Sequence, residues 1–175
     1  MKGLIICGYP GVGKSSVAGW KNCVDLESSH FSHDDMGYSL DSNAWVPRYC
    51  TVAMDLAKQG FTVLCSTHSG VIDYFENLNL SLPEQVGGIV IFYPRNWMKG
   101  RWIRRLKDRY ISNPSKRNRR AYEHALHYYD DDLISLGESS LPCLRPKTPE
   151  YDFKRYILLT RQKYCEKEEV SDGTT

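Results

Sequence analysis

The clearest chemical signal in the sequence is a short segment near the N-terminus, Gly8-Tyr-Pro-Gly-Val-Gly-Lys-Ser15. It fits the pattern G-x-x-x-x-G-K-[ST], whose glycines adopt backbone angles closed to other residues and let successive N–H groups curl around an anion. Lys14 adds a positive charge, and the Ser15 hydroxyl suits Mg²⁺. We therefore predict a phosphate-binding loop whose contact residues are Gly8, Tyr9, Pro10, Gly11, Val12, Gly13, Lys14, Ser15 and Ser16.

The flanking sequence predicts the strand and the helix between which a phosphate-binding loop lies. Leu4-Ile-Ile-Cys7 is a short apolar run rich in β-branched residues, which indicates a buried strand. Ser15-Ser-Val-Ala18 predicts one or two helical turns, and the positive end of that helix dipole would point at the phosphates. This context argues against the alternative, a glycine-rich turn with an accidental Lys-Ser pair.

A carboxylate is predicted beside the loop, at the end of the second strand. Asp25 and Glu27 leave that strand at its carboxyl end, where ligands bind in open parallel sheets. The third predicted strand is followed by Ser66-Thr-His68, with no aspartate. Asp25 is therefore the predicted magnesium ligand with Ser15, or the acceptor of a proton. The alternative is that Asp25 only starts a turn.

Three arginines recur every four residues along a predicted helix at 97–110. Arg101, Arg105 and Arg109 form one row with no acid at i±4, which favours a phosphate clamp over a solvated basic face. Arg105 and Arg109 are predicted to be catalytic, together with Lys14 and Asp25, and Arg101 to contact substrate. Residues 110–121 contain Ser, Asn, Pro and basic residues, and predict a mobile lid that closes by charge.

A substrate site is predicted where the helix after the second strand begins. Trp45, Arg48 and Tyr49 cluster there, and aromatic faces with an arginine suit a planar, phosphorylated molecule; core packing of the aromatics is the alternative. Asp25, Glu27 and His68 complete the predicted substrate contacts, although His68 is equally consistent with a structural role. The loop that begins at Arg145 is placed in chain order to border a nucleotide base.

The composition is that of an ordinary globular domain. The chain has 175 residues, 41% of them hydrophobic and 25% charged, with a net charge of +2. We predict a single domain at 1–167, a disordered tail at 168–175, and no membrane-spanning segment. Six cysteines without a CxxC pair or zinc spacing indicate reduced core thiols and a cytoplasmic location. The oligomeric state is left open.

Strands are predicted near 4–7, 22–26, 61–65, 88–93 and 139–144, with helices near 47–60, 71–77, 97–110, 121–136 and 151–164. This order resembles that of small P-loop kinases, the nucleoside monophosphate kinase and shikimate kinase group, and more closely small phage-type nucleotide kinases. The resemblance covers the chain from its start to about residue 135. It is carried by Gly8 to Ser15, Asp25-Leu-Glu-Ser-Ser29, Trp45-Val-Pro-Arg-Tyr49, Ser66-Thr-His68 and Trp102-Ile-Arg-Arg-Leu-Lys-Asp-Arg109.

The resemblance implies a three-layer α/β P-loop NTPase fold with a five-stranded parallel sheet in the order 2-3-1-4-5. It also implies ATP at the loop, Mg²⁺ on Ser15, an acceptor near Asp25 and the Trp45–Tyr49 helix, and lid arginines Arg105 and Arg109. Ser66-Thr-His68 stands where many of these kinases have Asp-Gly or Gly-Gly, so the family's acceptors are not carried over.

The predicted function is ATP- and Mg²⁺-dependent phosphoryl transfer to a small acceptor, a ribo- or deoxynucleoside monophosphate. Eleven basic residues between Arg95 and Arg120, against the single acid Asp108, support an alternative, a kinase acting on a nucleic-acid hydroxyl. A nucleotide-dependent switch without catalysis is the third hypothesis.

Overall fold

The centre of the protein is a five-stranded parallel sheet. The structure is a computed structural model that describes residues 1–79 and 81–166, so the predicted tail at 168–175 lies outside the described residues. The strands are β1 (Gly3–Gly8), β2 (Cys23–Asp25), β3 (Thr62–Cys65), β4 (Val86–Phe92) and β5 (Cys143–Leu144). Their order is β2-β3-β1-β4-β5, and every neighbouring pair is parallel. The predicted fold class and strand order are confirmed.

The central strands are buried on both faces, which explains why their sequences read as unbroken apolar runs. All six residues of β1 are buried, as are the last five of β4. A parallel strand covered by helices on both sides has no solvent face to fill with polar residues. The same runs made β1 and β4 the most recognisable strands in the sequence.

Six helices surround the sheet. They are α1 (Lys14–Val17), α2 (Ser42–Lys58), α3 (Ser69–Asn79), α4 (Lys99–Ser112), α5 (Lys116–Glu138) and α6 (Phe153–Cys165). Single 3₁₀ turns occur at Trp20–Asn22, Ser28–His30 and Asn96–Met98. None of the helices in the described ranges is long and apolar enough to cross a bilayer.

Two close approaches of helix to sheet show that the fold has three layers. A Cβ on Gly3 would lie 1.9 Å from the carbonyl oxygen of Ala57 in α2. A Cβ on Gly88, which pairs with Leu4, would lie 3.0 Å from the ring of Tyr164 in α6. Because successive residues of a strand face opposite sides, α2 and α6 cover opposite faces of the sheet.

Two helices begin earlier than the sequence suggested. The side chain of Asp41 accepts a hydrogen bond from the Asn43 N–H at 2.8 Å, and this cap starts α2 at Ser42, so that Pro47 lies inside the helix rather than at its first turn. Ser115 caps α5 in the same way, through the Asn118 N–H at 3.1 Å. Residues 110–121, predicted as a mobile lid, contain the end of α4, a short turn and the start of α5.

The cysteines divide into two groups. Cys7, Cys23, Cys50 and Cys65 are buried free thiols, as predicted for core residues. Cys143 is exposed at the start of β5 and Cys165 is partly buried at the end of α6, so the expectation of six core thiols is wrong for these two.

Candidate active site

The phosphate-binding loop leaves β1 at the carboxyl edge of the sheet, and two aromatic side chains fix its peptide planes. Trp102 Nε1 of α4 donates to the Pro10 carbonyl at 2.9 Å, and the Tyr151 hydroxyl donates to the Val12 carbonyl at 2.8 Å. Because the peptide bonds are trans, the N–H groups of Gly11 and Gly13 point away from these anchored carbonyls. The loop thereby presents amide donors to the cavity beside it.

The loop glycines are needed for two different reasons. Gly11 and Gly13 have φ angles of 89° and 103°, which confirms the predicted left-handed backbone. Gly8 does not have a positive φ, so the predicted reason is wrong for it. A Cβ on Gly8 would instead lie 2.8 Å from Cγ2 of Val12, and glycine is needed there for space.

Ser15, Lys14 and Asp25 meet at the start of α1. The Ser15 hydroxyl donates to Asp25 Oδ2 at 3.0 Å, and Lys14 Nζ donates to the Gly8 carbonyl. Burial lowers the pKa of Lys14, while the carboxylates of Asp25 and Glu27 oppose that shift. Since α1 has only one turn, its dipole contributes less to anion binding than a long helix would, and the loop amides and Lys14 carry more of the field.

The Ser15 and Asp25 oxygens fit a magnesium ion. Asp25 Oδ1 is buried and has no hydrogen-bond partner, although a buried carboxylate oxygen is normally satisfied. No cluster of three or more His, Cys, Asp or Glu side chains that could enclose a metal is found in the described ranges. A hydroxyl and one carboxylate, with nucleotide phosphates and water as the other ligands, is the arrangement in which proteins commonly bind Mg²⁺.

Arginines from α4 and α5 face the loop across a cavity of 420 Å³, here called the phosphate cavity. Its wall contains Gly8, residues 10–16, the turn at 26–28, Ser66 and Thr67, and the side chains of Arg105, Arg109 and Arg117. Arg109 Nε is buried without a partner, and burial, with the charge of Arg117, lowers the pKa of Arg109. Such a guanidinium lacks the counter-charge that an anionic ligand would supply.

Arg117 is a site residue that the sequence analysis did not single out. It lies in the basic segment at 110–121, and its guanidinium pairs with Glu27 at 2.6 Å across the mouth of the phosphate cavity. Only the fold of the α4–α5 hairpin shows which of the clustered basic residues faces inward.

The predicted arginine row divides along α4. Arg105 and Arg109 line the phosphate cavity, as predicted, and Arg105 also stacks over the rings of Trp102 and Tyr151 at 4.8 Å and 5.6 Å. Arg101 is exposed and pairs with Glu150 at 2.6 Å, so its predicted substrate contact is not supported. An i,i+4 row rotates about 40° per step around a helix, and Arg101 has turned away from the cavity.

Arg145 is engaged within the fold. Its guanidinium stacks over Tyr93 at 4.8 Å, donates to the Pro94 carbonyl at 3.2 Å, and donates to Asn96 Oδ1 at 2.8 Å. It does not line the phosphate cavity. These contacts fix the loop after β5 against the end of β4, so Arg145 has a structural role at this edge of the sheet.

The aromatic cluster on α2 is part of the core. Trp45 is 4% exposed and Tyr49 is fully buried, so the predicted stacking of a base on them is not supported and the alternative of core packing is correct. Arg48 is exposed and lines neither cavity described here. The Tyr49 hydroxyl donates to the Leu26 carbonyl at 2.8 Å and accepts from the Ser66 N–H at 2.9 Å. Tyr49 thus ties the segments that follow β2 and β3 and holds the Asp25 edge in place.

A second cavity of 550 Å³, here called the neighbouring cavity, lies between the end of β3, α3 and α5. It shares Pro10, Ser66 and Thr67 with the phosphate cavity. Tyr9, predicted with the phosphate contacts, and His68, predicted as a substrate contact, both line it. Its carboxylates, Asp73, Glu76, Asp132 and Glu138, were not predicted, because they are far apart in sequence and only the packing of α3 beside α5 brings them together.

Part of the positive charge of the basic segment at 95–120 is paired within the fold. Many of its side chains are engaged within the fold: Arg95 donates to the Pro146 carbonyl, and Lys99, Arg101, Arg117 and Arg119 pair with Asp130, Glu150, Glu27 and Glu123. Exposed side chains without such a partner in the described part of the chain are Arg104, Lys107, Lys116 and Arg120. This distribution weakens the nucleic-acid hypothesis.

Comparison with known proteins supports the fold. No family model and no curated protein sequence matches the chain. Among solved structures, the chain is similar to the 1.7 Å crystal structure of shikimate kinase from Bacteroides thetaiotaomicron, with 14% sequence identity and a TM-score of 0.50. The match covers 93% of this chain and 97% of that chain. It shows that the chain shares the fold of that protein, which agrees with the predicted fold class.

Proposed function

We propose that the protein is a kinase that transfers the γ-phosphoryl group of ATP, bound with Mg²⁺, to a small acceptor. The observation that carries the proposal is the Ser15–Asp25 hydrogen bond at 3.0 Å beside a buried, unpartnered Asp25 Oδ1. Lys14, Arg105 and Arg109 line the same cavity. Phosphoryl transfer requires mainly a phosphate cradle, a metal, positive charge and an oriented acceptor. The cavity contains residues that can form the cradle, bind the metal and supply the positive charge.

The roles of the residues follow from their positions. The amides of Gly11 and Gly13 and the Lys14 ammonium bind phosphate oxygens, and Arg109 stabilises the charge that develops on the transferred group. Ser15 and Asp25 Oδ2 would hold Mg²⁺, which neutralises phosphate charge when bound. The acceptor oxygen bonds to the γ-phosphorus while the bond from that phosphorus to the bridging oxygen breaks and ADP leaves. In the alternative role of Asp25, in which it is not a metal ligand, its carboxylate takes the proton that the acceptor oxygen loses.

The sequence pointed to a ribo- or deoxynucleoside monophosphate as the acceptor. That proposal relied on stacking by Trp45 and Tyr49, and burial of both rings removes this support. Three arginines at the phosphate cavity remain compatible with a second phosphate. Nucleoside monophosphates are therefore one class of acceptor to be tested.

The test is incubation of the protein with γ-labelled ATP, Mg²⁺ and separate acceptor classes: nucleoside monophosphates, nucleosides, polyols and single-stranded oligonucleotides. We expect label in a product other than inorganic phosphate, together with stabilisation of the protein by Mg²⁺ and ATP. Exclusive labelling of oligonucleotides would favour the nucleic-acid kinase. Tight ATP binding with no transfer to any class would favour the non-catalytic switch and contradict the proposal.

A further inference from the structure

We infer that the acceptor is a polyhydroxylated compound that carries no phosphate or carboxylate group, and that it binds in the neighbouring cavity. The inference depends on the proposed function, because it assumes that the phosphate cavity holds the donor. It adds the chemical class of the acceptor and the surface that selects it.

The first argument is the position of the two cavities. They share a wall made by Pro10, Ser66 and Thr67, so a molecule in the neighbouring cavity lies directly beside the phosphate-binding loop. Leu64 pairs with Asp25 in the sheet, which places the segment after β3 next to the end of β2. An acceptor that reaches over Ser66 and Thr67 therefore enters the cavity that Lys14, Arg105 and Arg109 line.

The second argument is the charge of the neighbouring cavity. Its wall contains four carboxylates, Asp73, Glu76, Asp132 and Glu138, and neither lysine nor arginine. Asp73 and Glu138 are exposed and form no ion pair or side-chain hydrogen bond within the described residues. A phosphate or carboxylate on the acceptor would meet negative charge with no lysine or arginine to hold it, so the cavity discriminates against anions.

The third argument is the hydrogen-bonding inventory of the wall. Thr67, Ser69 and Ser135 provide hydroxyls, and the exposed His68 provides an imidazole. The Trp45 ring packs edge-to-face against that imidazole, with the ring centroids 5.1 Å apart. Hydroxyl and imidazole groups both donate and accept, and carboxylates accept from an alcohol. These groups match a compound with several hydroxyls.

Part of the wall is preformed, which suits a specific site. Asp132 Oδ2 accepts from the Tyr9 hydroxyl at 2.8 Å and contacts His124 Nε2 at 2.9 Å. Glu76 Oε1 accepts from the Ser139 hydroxyl at 2.5 Å and from the Ser140 N–H at 2.6 Å. The Tyr9–Asp132 hydrogen bond joins α5 to the phosphate-binding loop. The hydrogen bonds of Glu76 join α3 to the end of α5, so polar contacts fix the wall at two separate places.

The experiment compares matched acceptors that differ only in an anionic group. Nucleosides are paired with their 5′-monophosphates, sugars and sugar alcohols with their phosphates, and cyclic polyhydroxy acids with their methyl esters. ADP formation is measured with saturating ATP and Mg²⁺. We expect the member with the highest kcat/KM to lack an anionic group and to exceed its anionic partner at least about tenfold, the usual scale of discrimination by unfavourable charge.

A charge-neutral variant tests the wall itself. In Asp73→Asn combined with Glu138→Gln, the ratio of kcat/KM between a neutral acceptor and its anionic partner should fall severalfold, while the KM for ATP stays constant. Asp55→Asn on α2 is the matched control, because Asp55 pairs with Lys58 on the surface and lines neither cavity. The ratio should not change in the control.

The outcomes separate this inference from the proposed function. If an anionic member of a pair is the better acceptor, or no neutral compound raises ADP formation above the hydrolysis background, the acceptor inference is overturned. The kinase proposal survives either result if ATP binds and label is transferred to another acceptor. Failure of Mg²⁺ and ATP to stabilise the protein overturns the proposed function itself.

Discussion

The two cavities share three wall residues and yet have opposite electrostatic character. The phosphate cavity is lined by Lys14 and three arginines against Glu27, whereas the neighbouring cavity is lined by four carboxylates without lysine or arginine. The loop that begins at Gly8 separates them. For the proposed kinase, this difference would direct a donor with several negative charges to one side of the loop and an acceptor without negative charge to the other.

The cavities also differ in how far their polar groups are satisfied. In the phosphate cavity, Arg109 Nε is buried without a partner, and so is Oδ1 of Asp25, whose carboxylate accepts from the cavity residue Ser15. In the neighbouring cavity, Glu76 and Asp132 are hydrogen-bonded within the protein. Unpartnered buried groups cost free energy until a ligand satisfies them, whereas bonded ones define a shape in advance. We conclude that binding energy at the first cavity comes mainly from charge and at the second from fit.

The largest effect is expected for Lys14→Met. The variant keeps a long side chain but loses the positive charge at the transferred phosphate, so kcat should fall by about two to three orders of magnitude, as for other groups that stabilise the transition state. Circular dichroism and the thermal midpoint, measured alongside ADP release, should show an intact fold. Retained ATP-dependent transfer in a folded variant would contradict the role of the phosphate cavity.

Asp25→Asn should be nearly as damaging. Replacing the carboxylate removes the charge beside Ser15 and the predicted proton acceptor, so kcat should fall by about two orders of magnitude while the affinity for ATP changes little. Glu27→Gln is the comparison variant, because Glu27 lies in the turn directly after Asp25 but its carboxylate pairs with Arg117. A larger loss in the Glu27 variant than in the Asp25 variant would assign the catalytic carboxylate to Glu27.

Arg109→Ala should give an intermediate effect on activity. The partly buried guanidinium contributes positive charge to the transition state, and we expect kcat/KM to fall by about one to two orders of magnitude, with poor rescue by lysine because lysine lacks the planar fork. Arg101→Ala, two row positions away and exposed, removes only a surface ion pair and should stay within about twofold of the parent protein. Equal losses of kcat/KM in the two variants would mean that the arginines act only through the overall positive charge of the helix.

The sequence was sufficient to predict the fold class and the meeting of Lys14, Ser15 and Asp25 at the phosphate-binding loop. The apolar runs of β1 and β4 and the glycine pattern after β1 are local signals, and both strands lie close to their predicted bounds. Lys14, Ser15 and Asp25 meet because parallel strands bring their carboxyl ends to one edge. These predictions needed only periodicity and spacing, together with the strand order that the resemblance to small P-loop kinases implies.

The other side of the site depended on packing that the sequence does not display. Trp45 and Tyr49 looked like a binding surface, but α2 turns both inward against the sheet. Arg101 separated from Arg105 because a helix row drifts around its axis. The carboxylates of the neighbouring cavity come from residues on two helices that are far apart in the chain, and no local pattern links Asp73 with Asp132.

The smallest effect, and one on stability, is expected for Glu76→Gln at the far end of the neighbouring cavity. The hydrogen bond from the Ser139 hydroxyl lowers the pKa of Glu76, with the Ser140 N–H adding to the shift against partial burial. A carboxyl whose pKa is lower in the folded state stabilises the fold above its unfolded pKa, and this contribution disappears as the pH falls through the folded value. At neutral pH the variant should therefore lose about 1 kcal/mol or less, which for a chain of this length lowers the thermal midpoint by about 2–4 °C at most.

The control for the contact of Glu76 with Ser139 and Ser140 is Glu138→Gln, since Glu138 lines the same cavity and is exposed. Thermal midpoints of the parent protein and both variants should be measured from neutral pH down to below about pH 4, the ordinary range of a glutamate pKa. The gap between the parent protein and Glu76→Gln should narrow as the pH falls, because protonation weakens the same contact in the parent. Glu138→Gln should match the parent throughout. A gap that is constant with pH, or equal in the two variants, would show that the Glu76 carboxylate does not join α3 to α5 and that the cavity keeps its shape by apolar packing.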